Sequence, residues 1–214
     1  FSLGFTPLIL YTMLILFFID FQQIWHIFLL PFIITFGLYI TVVYQLLISG
    51  LIIHFFNIKY KPGVYPYNFQ NSMSLRWILV CVLYNPLRRI IEIIPVGGMK
   101  YFYLRLLGMK IGENTLVGGT IKDPCLTEFG DNVTMGEYSI VYGHIQDFEN
   151  EIISMDEVKI GDNCVIGAGA IIMPGVTFED NVKLAAGAVV PKDKTLKNNR
   201  VYAGVPAKEI KKKN

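Results

Sequence analysis

His144 is the one histidine outside the apolar N-terminal third, in Val141-Tyr142-Gly143-His144-Ile145-Gln146. A neutral imidazole, with a pKa near ~6.5, can take the proton from a hydroxyl or amine as that group attacks an electrophile. Proton transfer of this kind contributes about 10²–10⁴-fold. A surface histidine at a corner is the plainer reading. The neighbourhood argues for chemistry, because residues 146–159 directly afterwards break a regular pattern and must bulge out as a loop. In that loop Asp147 and Glu149 are candidates to orient the second ring nitrogen, with a backbone carbonyl as another; a solvated acidic loop is the bland alternative. The three cysteines, Cys81, Cys125 and Cys164, lack metal-ligand spacing, fit a reducing compartment and stand in no nucleophile motif. Cys125 and Cys164 read as small core residues.

The interrupted pattern has period six. Ile160, Ile166, Ile172, Phe178, Leu184, Val190 and Leu196 form one run, and Ile111, Val117, Asp123, Phe129, Met135 and Val141 form another in a single register. Six is not a helical period. Each hexad makes a short strand and a corner, with its bulky residue inward and turn formers such as Gly112, Asp131-Asn132, Asp162-Asn163, Gly175 and Asp180-Asn181 at the bends. Three hexads close a triangular coil, so coils are expected at 111–128, 129–146, 160–177 and 178–195, a β-solenoid of stacked parallel strands about 4.8 Å apart. Ile160 follows Val141 by 19 positions, one more than a whole coil, which is why the intervening segment cannot all continue the repeat. Asp123 puts a carboxylate where an aliphatic belongs. Either the first coil is open there, the reading preferred for an irregular end coil, or Asp123 serves the site or a neighbouring chain.

Over about 110–214 the chain resembles the left-handed β-helix hexapeptide acyltransferases, which include galactoside, xenobiotic and serine acetyltransferases. The likeness rests on the hexads, on Gly143-His144 followed by the loop and Val158-Lys159-Ile160-Gly161-Asp162-Asn163, and on Ala203-Gly204-Val205-Pro206-Ala207-Lys208. It implies a left-handed parallel β-helix, His144 as general base, direct attack on an acyl thioester within a ternary complex, and a homotrimer with sites between neighbouring prisms. The co-substrate implied is acyl-coenzyme A, acetyl-coenzyme A foremost, with no metal. Ala168 and Ala186, one coil apart, would meet the pantetheine, and Lys192 and Lys208 would approach the phosphates; corner packing and solvated surface are the plainer readings. γ-Class carbonic anhydrases share hexads but need three histidines, and His26 and His54 lie in or beside the apolar segments.

The N-terminal half is of another kind. The chain is 53% hydrophobic and only 17% charged, and the imbalance is local: Phe1 to Ile19 carries no charge, nor does Ile27 to Phe56. Both runs read as membrane spans, the first barely long enough, the second so long that it must tilt, break at Pro31, Gly37 or Gly50, or continue into the interface. The connector 20–26 has no cation, whereas Lys59, Lys61, Arg76, Arg88 and Arg89 follow the second run, which puts the β-helix on the cytoplasmic side of a multi-pass membrane protein. Ser74 to Ile94 reads as an interfacial amphipathic helix broken near Asn85-Pro86, its tryptophan and arginines at the lipid, and Met99 to Leu107 as a short helix capping the prism. A formal charge of +2 gives no reason to expect nucleic acid. The chain begins at Phe1 and is read as the end of a longer polypeptide. Pro-Gly-x-Tyr-Pro, the apolar helices and Tyr103-Leu104-Arg105-Leu106-Leu107-Gly108 resemble, more distantly, the C-terminal membrane region of ε-polylysine synthetase-like nonribosomal peptide synthetases.

The organisation expected is therefore a transmembrane hairpin at 1–58, interfacial and capping helices at 59–109, and a β-helix at 110–214. The function expected is acyl transfer to a hydroxyl or amine on a lipid-linked sugar, lipid head group or peptide at the membrane surface. A non-catalytic trimerising scaffold within a larger synthetase is the alternative.

Overall fold

A strand of two residues can bury only one side chain, and the hexads supply one each. The computed structural model describes residues 2–19, 23–93 and 98–210. Within it, Phe129, Met135, Val141, Ile160, Ile166, Ile172, Phe178, Leu184, Val190 and Leu196 all point into a three-sided prism, none more than 3% exposed. The first face stacks Lys110–Ile111, Thr127–Phe129, Val158–Ile160, Thr177–Phe178 and Thr195–Leu196. The second stacks Leu116–Val117, Thr134–Met135, Val165–Ile166, Lys183–Leu184 and Val201–Ala203. The third stacks Thr120–Ile121, Ile140–Val141, Ile171–Ile172 and Val189–Val190. All these pairings are parallel; a last strand, Lys208–Glu209, turns back antiparallel on Val201–Ala203, so the stacking continues beyond the fourth full coil.

The three edges differ in chemistry. Between the first and second faces stand Asn114, Asn132, Asn163, Asn181 and Asn199, all left-handed with φ from 52° to 59°, a conformation asparagine tolerates. Beside them the carboxylates of Asp131, Asp162 and Asp180 each accept a backbone N–H from the coil before, at 2.7, 2.8 and 2.9 Å. At the second edge the last coils touch through small residues: a Cβ on Gly167 would lie 2.3 Å from the backbone nitrogen of Ala186. The third edge carries the insertions.

The first coil departs from the expected register. Ile121, not Asp123, takes the third-face position opposite Val141, and residues 122–126 spill outward through a short 3₁₀ turn, Pro124–Leu126. The preferred reading of a simply open end coil fails, since Asp123 is fully buried. In the second coil the bulge is a hairpin, His144–Asp147 against Ile152–Met155, extended to three strands by Gly63–Pro66 from the segment before the prism.

Among the described residues four helices precede the prism: α1 (Ser2–Phe18), α2 (Ile24–Phe55), α3 (Ser72–Ile93) and α4 (Met99–Leu106). Residues 20–22 of the expected cation-free connector lie outside the described residues. The segment His26–Phe55 of α2 is long and apolar enough to cross a membrane, with mean hydropathy 2.2 over its most apolar stretch. Helix α1, at 17 residues, falls short, so the expected pair of spans is not supported. Helix α2 does not break at Pro31, Gly37 or Gly50. Gly37 instead admits the Tyr11 ring of α1, and Gly50 admits Leu106 and Tyr103 of α4, where the Ser49 and Tyr103 hydroxyls meet at 3.0 Å. Leu104, Leu107 and Met109 are buried at the top of the prism, where a cap was expected.

Helix α3 also runs unbroken, through Pro86, and is not laid on lipid by its tryptophan. Trp77, Val80, Tyr84, Leu87 and Ile91 form one buried stripe, and Tyr84 donates to the Ile121 carbonyl at 2.7 Å. That packing holds the helix where the proline removes one hydrogen bond. Arg88 is likewise 7% exposed, over the Tyr84 ring and 3.7 Å from Glu92.

Gly167→Ala should destabilise the fold by about 1–3 kcal/mol, because its Cβ meets backbone that cannot yield. Gly98→Ala, with open space around the added Cβ, serves as the neutral control in thermal unfolding.

Candidate active site

The two insertions on the third edge fall on consecutive coils, and they bring Asp123 and His144 together. The His144 Nδ1 lies 2.9 and 2.7 Å from the two Asp123 oxygens. Tyr60, just beyond α2, donates its hydroxyl to Oδ1 at 2.7 Å, and the Gly143 N–H donates to Oδ2 at 2.8 Å. Glycine is required at 143: a Cβ there would stand 2.7 Å from that of Asp123.

This arrangement sets the tautomer. A buried carboxylate offers only acceptors, and every other partner of Asp123 is a donor, so Nδ1 carries a hydrogen and Nε2 keeps its lone pair. The Tyr60 hydroxyl stays a donor, since burial first and the Asp123 charge second push its pKa well above the usual range. Trp77 closes one side, its ring edge-on to His144 at 4.9 Å between centroids. Tyr67 then packs edge-on against both Trp77 and Phe148 near the hairpin tip, joining α3 to the hairpin through aromatic contacts. The His144 side chain remains 16% exposed. An imidazole so held can accept a proton on the nitrogen that faces away from the carboxylate.

Asp147 and Glu149, the orienting candidates from sequence, do not reach the imidazole. Asp147 binds its own turn instead, accepting from the backbone N–H groups of Glu149 and Asn150 and from the Asn150 side chain. Ala168 and Ala186 stack, exposed, on the second edge. Lys192 is on the third edge, two coils from His144, with Nζ 3.4 Å from Asp193; Lys208 is exposed on the terminal antiparallel strand. One chain therefore joins Lys192 to the edge of His144 but leaves both alanines on another edge. Sequence reasoning missed Tyr60 and Trp77. Neither carries a signal of its own, while Asp123 signalled itself only as a fault in the repeat.

The model of the hexapeptide repeat of succinyl-transferase matches residues 157–192. Among solved structures, a maltose O-acetyltransferase from Clostridium difficile 630 is 26% identical with a TM-score of 0.54, the match covering 70% of this chain and 92% of that one. The chain carries a hexapeptide repeat in a fold similar to that of this acetyltransferase. A galactoside acetyltransferase in complex with coenzyme A is 21% identical, with a TM-score of 0.41 over 59% of this chain and 80% of that one. A hexapeptide-repeat acetyltransferase from Vibrio cholerae is 17% identical, with a TM-score of 0.48 over 63% and 91%. A search of curated protein sequences returns no match.

Asp123→Asn should lower kcat by about 10²-fold or more with little change in KM, because the amide cannot hold the same tautomer. Tyr60→Phe removes one of several donors and should cost about tenfold. Steady-state kinetics on both variants, with circular dichroism to confirm folding, checks the order of the two effects.

Proposed function

We propose that the protein transfers an acyl group, acetyl foremost, from coenzyme A to a hydroxyl or amine acceptor presented at the cytoplasmic membrane surface. The observation that carries this reading is the Asp123–His144 pair on the interrupted edge. His144 Nε2 takes the acceptor proton as the acceptor oxygen or nitrogen attacks the thioester carbon. The tetrahedral intermediate collapses with loss of the coenzyme A thiolate, to which the imidazolium returns the proton. Asp123 holds the ring and stabilises its cationic form. A scaffold has no use for such an arrangement, since a buried carboxylate is costly unless its donors are all in place.

Coenzyme A fits the second edge. Ala168 and Ala186 present a column of small exposed residues along which a thin pantetheine arm can lie against backbone. Because that edge and the His144 edge are separated by the third face, one prism does not complete the site. A homotrimer closed by head-to-tail contacts would set the alanine edge of one protomer against the histidine edge of its partner. Lys192, on the histidine edge, and Lys208 at the base of the prism would then approach the phosphates.

Membrane attachment rests on α2. At 32 residues it is about 48 Å long, more than the ~30 Å hydrocarbon core. Its first half exposes Phe28, Phe32 and Phe36 at 74%, 74% and 59%, while Leu46 and Ile53 near its end are buried against protein. The apolar half suits lipid and the other half docks the enzyme on the bilayer. The acceptor is accordingly a lipid-linked sugar, a lipid head group or a peptide delivered there.

His144→Ala should abolish coenzyme A release from acetyl-coenzyme A in the presence of a membrane lipid extract while keeping a folded circular dichroism spectrum, with a lowered melting temperature because Asp123 loses one partner; retained turnover would remove the base. Mass measurement in detergent should return three chains. Lys192→Ala should raise KM for acetyl-coenzyme A about tenfold and leave acetyl-pantetheine unaffected, since the lost contact is to a phosphate that the shorter donor lacks.

A further inference from the structure

A second recess, on the other side of Tyr60 from the catalytic pair, is unused by that chemistry. It is a cleft of about 430 Å³ between the end of α2, the start of α3 and the outward spill of the first coil. Its floor is Tyr60, Met73, Cys125 and Leu126, and its rim carries Lys59, Lys61 and Arg76 against a single carboxylate, Glu157. Glu157 is already neutralised by Lys159 Nζ at 2.6 Å. Arg76 is aimed by Nη1, which donates to the carbonyls of Asn57 and Lys59 at 2.7 and 3.2 Å. Among the described residues neither Lys59 nor Lys61 has an acidic partner. Burial pushes the Cys125 thiol up to about 11, so the floor adds no negative charge at neutral pH. Three cations facing one recess without a counter-charge leave an anion missing.

The surroundings indicate which anion. Phe55 and Phe56, immediately before the cleft, are 77% and 75% exposed, and α3 exposes Leu75, Leu79 and Val82 at positions that share one helical face. Apolar surface for acyl chains thus adjoins the cationic rim, as at the level of lipid head groups. We propose that this cleft binds the phosphate of an anionic lipid head group, with Lys59, Lys61 and Arg76 as its ligands. The lipid source rests on the membrane-surface reading above; the phosphate chemistry does not. A head group seated there touches Tyr60, the residue that also holds Asp123.

The test is native mass spectrometry of the full chain in detergent, titrated with phosphatidate, with phosphatidylcholine of the same acyl chains, and with inorganic phosphate. No acyl donor is present, so failure of acyl transfer does not affect the readout. Phosphatidate should bind about tenfold or more tightly than phosphatidylcholine, and Lys59→Gln/Lys61→Gln should erase that preference. Lys183→Gln/Lys194→Gln, which removes the same charge from the far coils, should leave it intact. Equal binding of the two lipids, or an equal loss in the control variant, would overturn the site. Inorganic phosphate binding as tightly as phosphatidate, with the same loss in Lys59→Gln/Lys61→Gln, would overturn the lipid and leave a free-phosphate site.

Discussion

A carboxylate with no exposure must be surrounded by donors, and for Asp123 those donors come from separate parts of the chain. Tyr60 arrives from the segment after α2, Gly143 and His144 from the second coil, and Asp123 itself from the insertion in the first. Removing one partner from a buried charge typically costs ~3–5 kcal/mol, so these segments are held to one geometry. The same constraint explains Gly143, where any side chain would push Asp123 away. The N-terminal segments are therefore part of the site, and dividing the chain into an anchor and an enzyme would cut through it.

A solenoid also needs its ends covered, since the last coil exposes apolar side chains with nothing stacked on them. Here the cover is α3 and α4, fixed in turn by the lower part of α2. Sealing the core and building the site are then one packing problem. The stripe on α3 that buries Tyr84 and Leu87 on the first coil also delivers Trp77 to the face of His144. An ordinary amphipathic helix thus has its apolar stripe spent on the prism, leaving Leu75, Leu79 and Val82 exposed.

The prism was legible because every coil repeats the same demand: one inward aliphatic, one tight corner. His144 was legible because it stands where that demand lapses. Asp123 was visible only as a misfit, since a period of six assigns it an inward position and cannot show that the chain shortens the corner before the third-face strand, seats Ile121 instead and frees the carboxylate for the next coil. Tyr60 and Trp77 were not legible at all. Their roles depend on how α2 and α3 dock onto the first coil, a long-range packing outcome that leaves no local pattern. The aromatic and basic residues of α3 gave a misleading one, since the same composition suits a lipid interface and a core contact with one buried arginine.

The position of the insertions follows from the limits of the repeat. In a regular coil each side chain points either into the prism, where it is packed, or out into solvent, where it is alone. Two polar groups on successive coils can be buried against each other only if the chain leaves the prism and returns. The interval from Ile121 to Val141 is 20 positions and that from Val141 to Ile172 is 31, against 18 for a regular coil, and both excesses lie on the third edge. The first edge keeps its asparagine ladder throughout, whereas the second gives up two residues in the first coil, where Ile121 follows Val117 by four positions rather than six. One edge holds the coils in register, one stacks Ala168 and Ala186, and the irregular edge carries the acid–imidazole pair, because only a chain that leaves the prism and returns can bury two polar groups against each other.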